Sequence, residues 1–328
     1  MSVHSRTEYT VGWVSALPEE HQVAQALLES TAPALPALPG DSNIYVLGRI
    51  GGHNVVLVCL GSGDLGPSAA AAVVGRLFST FTKIRFCLVV GIGGGVPEPH
   101  GIRLGDVVVS TPSGENRGFV NYDFGKTVGG GVFQHRRALD GPPPVLLKSV
   151  TQLRSSASLD NRVALHLSTV CEKLGHEFAY PGDENDRLFA SSYIHPSGSK
   201  DCQNCDQSKI SRLRNTSWVS PKFFYGTVGC GSQVIMDAVT RDRLARQYDL
   251  LCFEMEAGGL ANNFPCLAVR GISDYADSHK NDKWKKYAAA SAGAFARELL
   301  MVIPPEQVEA ISAERPLFIG SESIRFDC

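Results

Sequence analysis

No run in this chain approaches the roughly 20 consecutive apolar residues that a membrane-spanning helix requires. The opening stretch Met1-Ser-Val-His-Ser-Arg-Thr-Glu-Tyr-Thr10 also lacks the apolar core of a secretory leader. The cytoplasm is therefore the expected location, and no membrane partner is expected. Charge of one sign is missing too: 31 Lys and Arg stand against 33 Asp and Glu, for a formal net charge of −2. That balance offers no global attraction for nucleic acid, which is not expected as a partner. The nine cysteines are an odd number, and Cys59, Cys87, Cys252 and Cys266 sit in apolar runs. They read as buried thiols, not as a disulfide framework. Three chemical signatures are absent as well. Gly91-Ile-Gly-Gly-Gly95 lacks the third glycine of G-x-G-x-x-G, no P-loop Lys-Ser/Thr follows it, and Gly-x-Ser-x-Gly does not occur. Dinucleotide binding and a nucleophile elbow are thereby disfavoured, and no cofactor is expected.

What is present is a strand–helix alternation, which argues for one α/β domain. A strand over 9–16 runs into a helix opened by Pro18-Glu19-Glu20 and expected to reach about residue 30. Segments 43–50 and 53–60 flank Gly51-Gly52, a good hairpin signal. An Ala-rich helix follows from Pro67 to about Phe81. The run from Arg85 to Gly95 is continuously apolar, as a strand buried on both faces should be. Further strands are expected at 106–110, 223–230, 250–256 and 267–272, with helices at 144–154, 161–174, 237–247, from Ala257, and 285–302. From Pro181 to Pro221 the chain turns polar and loses periodicity, the mark of a long surface insertion. The domain is expected to span 1–303, with 304–328 as a tail or linker.

Three acidic clusters sit just beyond apolar strands, where α/β enzymes place catalytic groups. They are Pro18-Glu19-Glu20, Phe253-Glu254-Met255-Glu256 and Arg270-Gly-Ile-Ser-Asp274. Each has a structural alternative: first-turn acids favour a helix dipole, and Asp274 could cap a turn. Glu254 and Glu256 alternate on one face of an apolar strand end, where an acid is costly unless paired or used. Cys202-Gln-Asn-Cys205, with His195 upstream, is half of a zinc pattern, but a second Cys pair is missing. An ordinary loop with two thiols is the preferred reading, and no metal is expected.

The order of the motifs is more specific than any one of them. Gly12-Trp-Val-Ser-Ala-Leu-Pro-Glu-Glu20, Val90-Gly-Ile-Gly-Gly-Gly95, Leu104-Gly-Asp-Val-Val-Val-Ser110 and Tyr122-Asp-Phe-Gly-Lys-Thr127 come first. Cys252-Phe-Glu-Met-Glu-Ala257 and Val269-Arg-Gly-Ile-Ser-Asp-Tyr-Ala-Asp277 follow. Over roughly 9–302 the sequence resembles the nucleoside phosphorylase superfamily, and most of all fungal nucleosidase-like domains related to methylthioadenosine/S-adenosylhomocysteine nucleosidases. The resemblance implies a three-layer α/β/α fold around a mixed, partly barrel-like sheet, assembled as a homodimer or larger homo-oligomer. It implies that Glu256 and the backbone at Met255 hold the ribose hydroxyls, with Gly91, Ile92 and Gly93 forming a glycine loop near the ribose. Asp274 would protonate purine N7, Arg270 would orient that site, and Glu19 would activate water. Val234, Ile235 and Ser273 would lie on the base side.

Phosphorylases of this kind need cations around a phosphate. Here the first loop offers Pro18-Glu19-Glu20 and the glycine strand offers aliphatic side chains, which would repel or fail to hold an anion. The expected activity is hydrolysis of the N-glycosidic bond of adenosine-like purine nucleosides. The alternatives are a phosphate-dependent purine nucleoside phosphorylase and a nucleoside-sensing domain of a larger signalling protein. The preferred nucleoside, acceptance of 5′-thio nucleosides and the role of the 181–221 insertion are not legible in the sequence.

Overall fold

The computed structural model describes residues 5–135, 139–198, 202–213 and 220–311. Strand β1 (Val11–Ser15) leads into helix α1 (Pro18–Ala26), β2 (Ser30–Ala32), the hairpin of β3 (Tyr45–Ile50) and β4 (His53–Cys59), and α2 (Pro67–Thr80). Next come β5 (Phe86–Gly95), β6 (Val107–Ser110), β7 (Phe119–Asn121), and a small hairpin of β8 (Gly125–Val128) and β9 (Val132–His135). Helices α3 (Pro144–Arg154) and α4 (Leu159–Leu174) precede a second small pair, β10 (Arg187–Phe189) and β11 (Ile210–Leu213). The chain continues through β12 (Phe223–Cys230), α5 (Ala238–Tyr248), β13 (Leu250–Glu254), β14 (Cys266–Asp274), α6 (Lys285–Val302) and α7 (Pro305–Glu309).

The main sheet has ten strands, in the order β13-β12-β6-β14-β5-β1-β4-β3-β2, with β7 on β12. Strand β13 also pairs back onto β5, so β13, β12, β6, β14 and β5 close into a ring. The rest of the sheet runs out from β5 through β1, which is parallel to both β5 and β4. Alternation along the strands feeds two cores. Val14, Val56, Val58, Cys87, Val89 and Ala268 face one core with α2 residues Val74 and Leu77. Trp13, Leu57, Leu88, Val90, Leu267 and Val269 face the other, with Val23, Val163 and Phe295 from α1, α4 and α6. Helices therefore cover both faces, giving the expected three-layer α/β/α fold with a barrel-like closed ring. All nine residues of β14 are buried, as a strand with neighbours on both sides and helices over it requires. No described helix is long and apolar enough to cross a membrane.

The structure differs from the sequence reading in several elements. Helix α1 stops at Ala26, and Ser30–Ala32 instead pairs antiparallel with β3. The helix expected from Ala257 is a single 3-10 turn, Ala257–Gly259. Two consecutive glycines are poor helix formers, and a Cβ at Gly259 would overlap the Pro67 carbonyl. Within the 181–221 insertion, β10 and β11 pair antiparallel and bury Leu188 and Phe189. In the segment read as a tail, α7 buries Val308 in the second core; the part beyond residue 311 lies outside the described residues.

Candidate active site

A cavity of about 230 Å³ opens at the ends of β1, β5, β13 and β14, lined by Glu20, Ile92, Gly93, Met255, Glu256 and Asp274 among others. Asp274 closes β14 just after a register shift against β5 between Ile272 and Asp274. Such irregularities re-aim a side chain out of the ladder. Its Oδ1 accepts from the Ala276 N–H at 2.9 Å, and its Oδ2 accepts from Ser273 Oγ at 2.8 Å and from Lys280 Nζ at 2.7 Å. Ala276 holds φ at +50°, a left-handed conformation uncommon for a residue with a Cβ. The hydrogen bond to Asp274 is part of what holds it there.

At the end of β13 the two glutamates divide their tasks. Glu254 is buried and accepts from the N–H groups of Glu256 and Ala257 at 3.0 and 2.9 Å. Arg270, fully enclosed beneath the cavity, donates from Nη2 to Glu254 at 2.5 Å and to Glu256 at 3.4 Å. Its Nη1 reaches the Ile92 carbonyl at 3.5 Å. Burial alone would lower the arginine's pKa, but Glu254, Glu256 and Glu20 outweigh it and the net shift is upward. Burial pushes Glu256 up; Arg270 pulls it down, Glu254 and Glu20 add to the rise, and the result is about 7. Glu256 is thus a carboxyl near the midpoint of its titration at neutral pH.

The pair at the start of α1 separates cleanly. Glu20 turns back under the helix start, accepting from Ala16 and Leu17 N–H at 2.8 and 2.9 Å through Oε2, and from Ile92 N–H at 2.8 Å through Oε1. Burial raises its pKa, opposed by Arg270 and by these three N–H groups. Glu19 is not among the residues that line the cavity; its carboxylate faces Lys285 Nζ at 3.4 Å. Of the two acids, the cavity wall thus holds Glu20, where the sequence reading singled out Glu19. The signal was available: with Pro18 first in the helix, Glu20 is the third residue, whose side chain folds back onto the N-cap.

Of the remaining expected residues, Met255, Ile92, Gly93, Val234, Ile235 and Ser273 line the cavity, Val234 with 53% of its surface exposed. Gly91 does not line it but gives space behind it, since a Cβ there would overlap Glu20 Oε1 and Arg270 Nη1. Arg270 likewise sits behind the wall. Lys280, Gln233 and Phe253 line the cavity without having been singled out; Lys280 lies in a polar turn with no periodicity to mark it. The cations in or beside the cavity are engaged by carboxylates: Arg270 by Glu254, Lys280 by Asp274 and Lys285 by Glu19.

A closed five-stranded ring within a larger mixed sheet, opening at its strand ends onto a carboxylate-lined cavity, defines an α/β protein of the phosphorylase and nucleosidase fold. The chain belongs to the phosphorylase superfamily, whose family model matches residues 10–302. A nucleotide-binding leucine-rich repeat (NLR)-like protein of Hyaloscypha variabilis is 40% identical over 305 residues, which cover 92% of this chain and 30% of that protein. A 5′-methylthioadenosine/S-adenosylhomocysteine nucleosidase of Mycobacterium tuberculosis is 30% identical over 89 residues, covering 26% of this chain and 35% of that enzyme. The matched segments thus span about a third of the length of each of these relatives. Among solved structures, the Neisseria meningitidis nucleosidase of that name, in complex with methylthio-immucillin-A, superposes with a TM-score of 0.58 at 16% identity, covering 89% of this chain and 98% of its own. Futalosine hydrolase of Helicobacter pylori superposes with a TM-score of 0.57 at 14% identity, covering 90% and 98%.

Proposed function

We propose that the protein is a purine-nucleoside N-ribohydrolase acting on adenosine-like nucleosides. The observation that carries this reading is the meeting of Asp274, Glu256 and Glu20 around one cavity while the neighbouring cations are already ion-paired. Cleavage of the C1′–N9 bond sends its electron pair to the base and leaves positive charge on the ribose. Asp274 delivers a proton to N7, so the base departs neutral. Water attacks C1′ and loses a proton to Glu20, the acid within the wall, in the role that motif reading gave to Glu19. Exchange with solvent restores both carboxyl groups, and the products are free base and ribose. Glu256 and the Met255 backbone hold the ribose hydroxyls, and Arg270 fixes Glu256 and Glu254 from behind. Val234, Ile235 and Ser273 face the base. The division of labour parallels two-carboxylate glycoside hydrolysis, with one acid for the leaving group and one base for water.

Water is favoured over phosphate because a phosphate dianion would meet Glu20 and Glu256 with no uncommitted cation among the described lining residues. The names of the nucleosidase and futalosine hydrolase neighbours point the same way. A second reading, a nucleoside-sensing domain, draws on the NLR-like relative, of which the matching region is 30%. Incubation with adenosine, inosine and guanosine, with and without phosphate, distinguishes these readings by their products. Free ribose formed without phosphate is the expected outcome. Ribose 1-phosphate that forms only with phosphate would refute hydrolysis, and binding without turnover would favour the sensor.

A further inference from the structure

We propose that His195, Cys202 and Cys205 form a binding site for a zinc-class cation, with His279 as the candidate fourth ligand. The sequence spacing gave two cysteines and a distant histidine, too few for a zinc pattern. Folding supplies the missing proximity: one ligand atom from each of His195, Cys202 and Cys205 lies within 4.8 Å of the others. A tetrahedral zinc with bonds of about 2.0–2.3 Å holds its ligand atoms on the order of 3.5 Å apart, so the cluster needs to contract by about an ångström. Two thiols and an imidazole suit zinc and other borderline-soft ions, and disfavour magnesium or calcium.

Two further observations point to a ligand. His195 Nδ1 lies 3.0 Å from the Pro196 carbonyl. A proton on Nδ1 donated there fixes the tautomer and the orientation of the ring, the second-sphere arrangement common to metal-bound histidines. Beside it, His279 has its side chain only 4% exposed, and neither ring nitrogen has a hydrogen-bond partner. Its ring stacks on Phe189 at 4.1 Å and meets the His195 ring edge-on at 5.4 Å. A buried imidazole with both nitrogens unsatisfied is costly; coordination of one of them offsets that cost.

The site would fasten the insertion to the turn behind the active site. His195 N–H donates to Ser278 Oγ at 3.0 Å, and Cys202 Sγ lies 3.8 Å from the His279 carbonyl. Cys202, Asp277 and His279 share a small cavity with Asp274. Among the described residues the insertion has, beyond the β10–β11 pair, only short 3-10 turns, and a metal supplies folding energy where a core is thin. The inference does not depend on the proposed activity, because its readout is metal content.

The test uses the full chain purified under reducing conditions, loaded with zinc and desalted, with metal measured by mass spectrometry and Co²⁺ as a spectroscopic probe. One zinc per chain is expected, and Co²⁺ should give thiolate charge-transfer absorption and the intense visible bands of a tetrahedral site. Cys202→Ser and Cys205→Ser should abolish stoichiometric binding, and His279→Asn should weaken it by about 10–100-fold. In the wild type, which needs no substitution, a chelator should lower the unfolding temperature and speed proteolysis between residues 187 and 213. No retained zinc in the loaded wild type, unchanged binding in the cysteine variants, or a Cys202–Cys205 disulfide in the reduced protein would overturn the site.

Discussion

Adjacent residues of the same type can have unrelated roles, and Glu19 and Glu20 are the clearest case here. One helical step puts Glu20 under three N–H groups inside the cavity wall and Glu19 out toward Lys285. If Glu20 takes the proton from water, Glu20→Gln should lower turnover by about 10²–10⁴-fold, the usual range for lost acid–base assistance. Glu19→Gln removes only a partly exposed ion pair and should stay within a factor of about 3 of wild type. Asp274→Asn should match the Glu20 loss, with an unchanged circular dichroism spectrum. Steady-state rates on adenosine for the three variants check the assignment; equal losses at Glu19 and Glu20 would contradict it. The carboxylates at 254, 256 and 274 were legible because acids are rare beyond apolar strands. Which of two consecutive acids turns inward depended on a capping geometry that residue type alone does not reveal.

At the level of elements, much of the fold could be read from hydrophobic pattern. The bounds of α3, α6 and β12 match expectation, and the Gly51-Gly52 hairpin forms as read. What was illegible is short or depends on distant partners. Strands β2 and β7 have three residues each and owe their existence to β3 and β12. The closing pair between β13 and β5 involves only Cys252 and Phe253 opposite Gly95 and Gly94, a contact no periodicity announces. Gly91 illustrates how a strand serves a site from behind. A methyl group at that position would push on Glu20 and Arg270 together, so Gly91→Ala should cost about 1–3 kcal/mol of stability through overpacking. Turnover should fall with it. Denaturant midpoints measure the first effect, and a midpoint equal to wild type would mean that the pocket behind the glycine is softer than its packing indicates.

For the whole molecule, buried acids tie stability to pH. An unfolded Glu256 titrates near 4.5, whereas in the folded chain it titrates at about 7. Between those values the folded state binds more protons than the unfolded one, so stability falls as pH rises, and the loss is complete above about 7. Glu20, also raised by burial, acts in the same direction. Urea unfolding in buffers from pH 4.5 to 7 should show this decline, and Glu256→Gln should flatten it in part. A slope unchanged by the substitution would mean that Glu256 keeps its charge when folded.

Strand β5 is bonded to β1 along 86–89, to β14 along 87–94 and to β13 at 94 and 95. Held from three directions, its amides should be among the last to exchange with deuterium, since opening them requires the whole sheet to part. Ile92 and Gly93 belong to that strand, so one wall of the cavity behaves as a fixed jamb. If a ligand is admitted, motion is expected instead at the exposed rim, formed by lining residues such as Val234, 53% exposed, and Lys280. Faster exchange on the jamb than at that rim would reverse this picture.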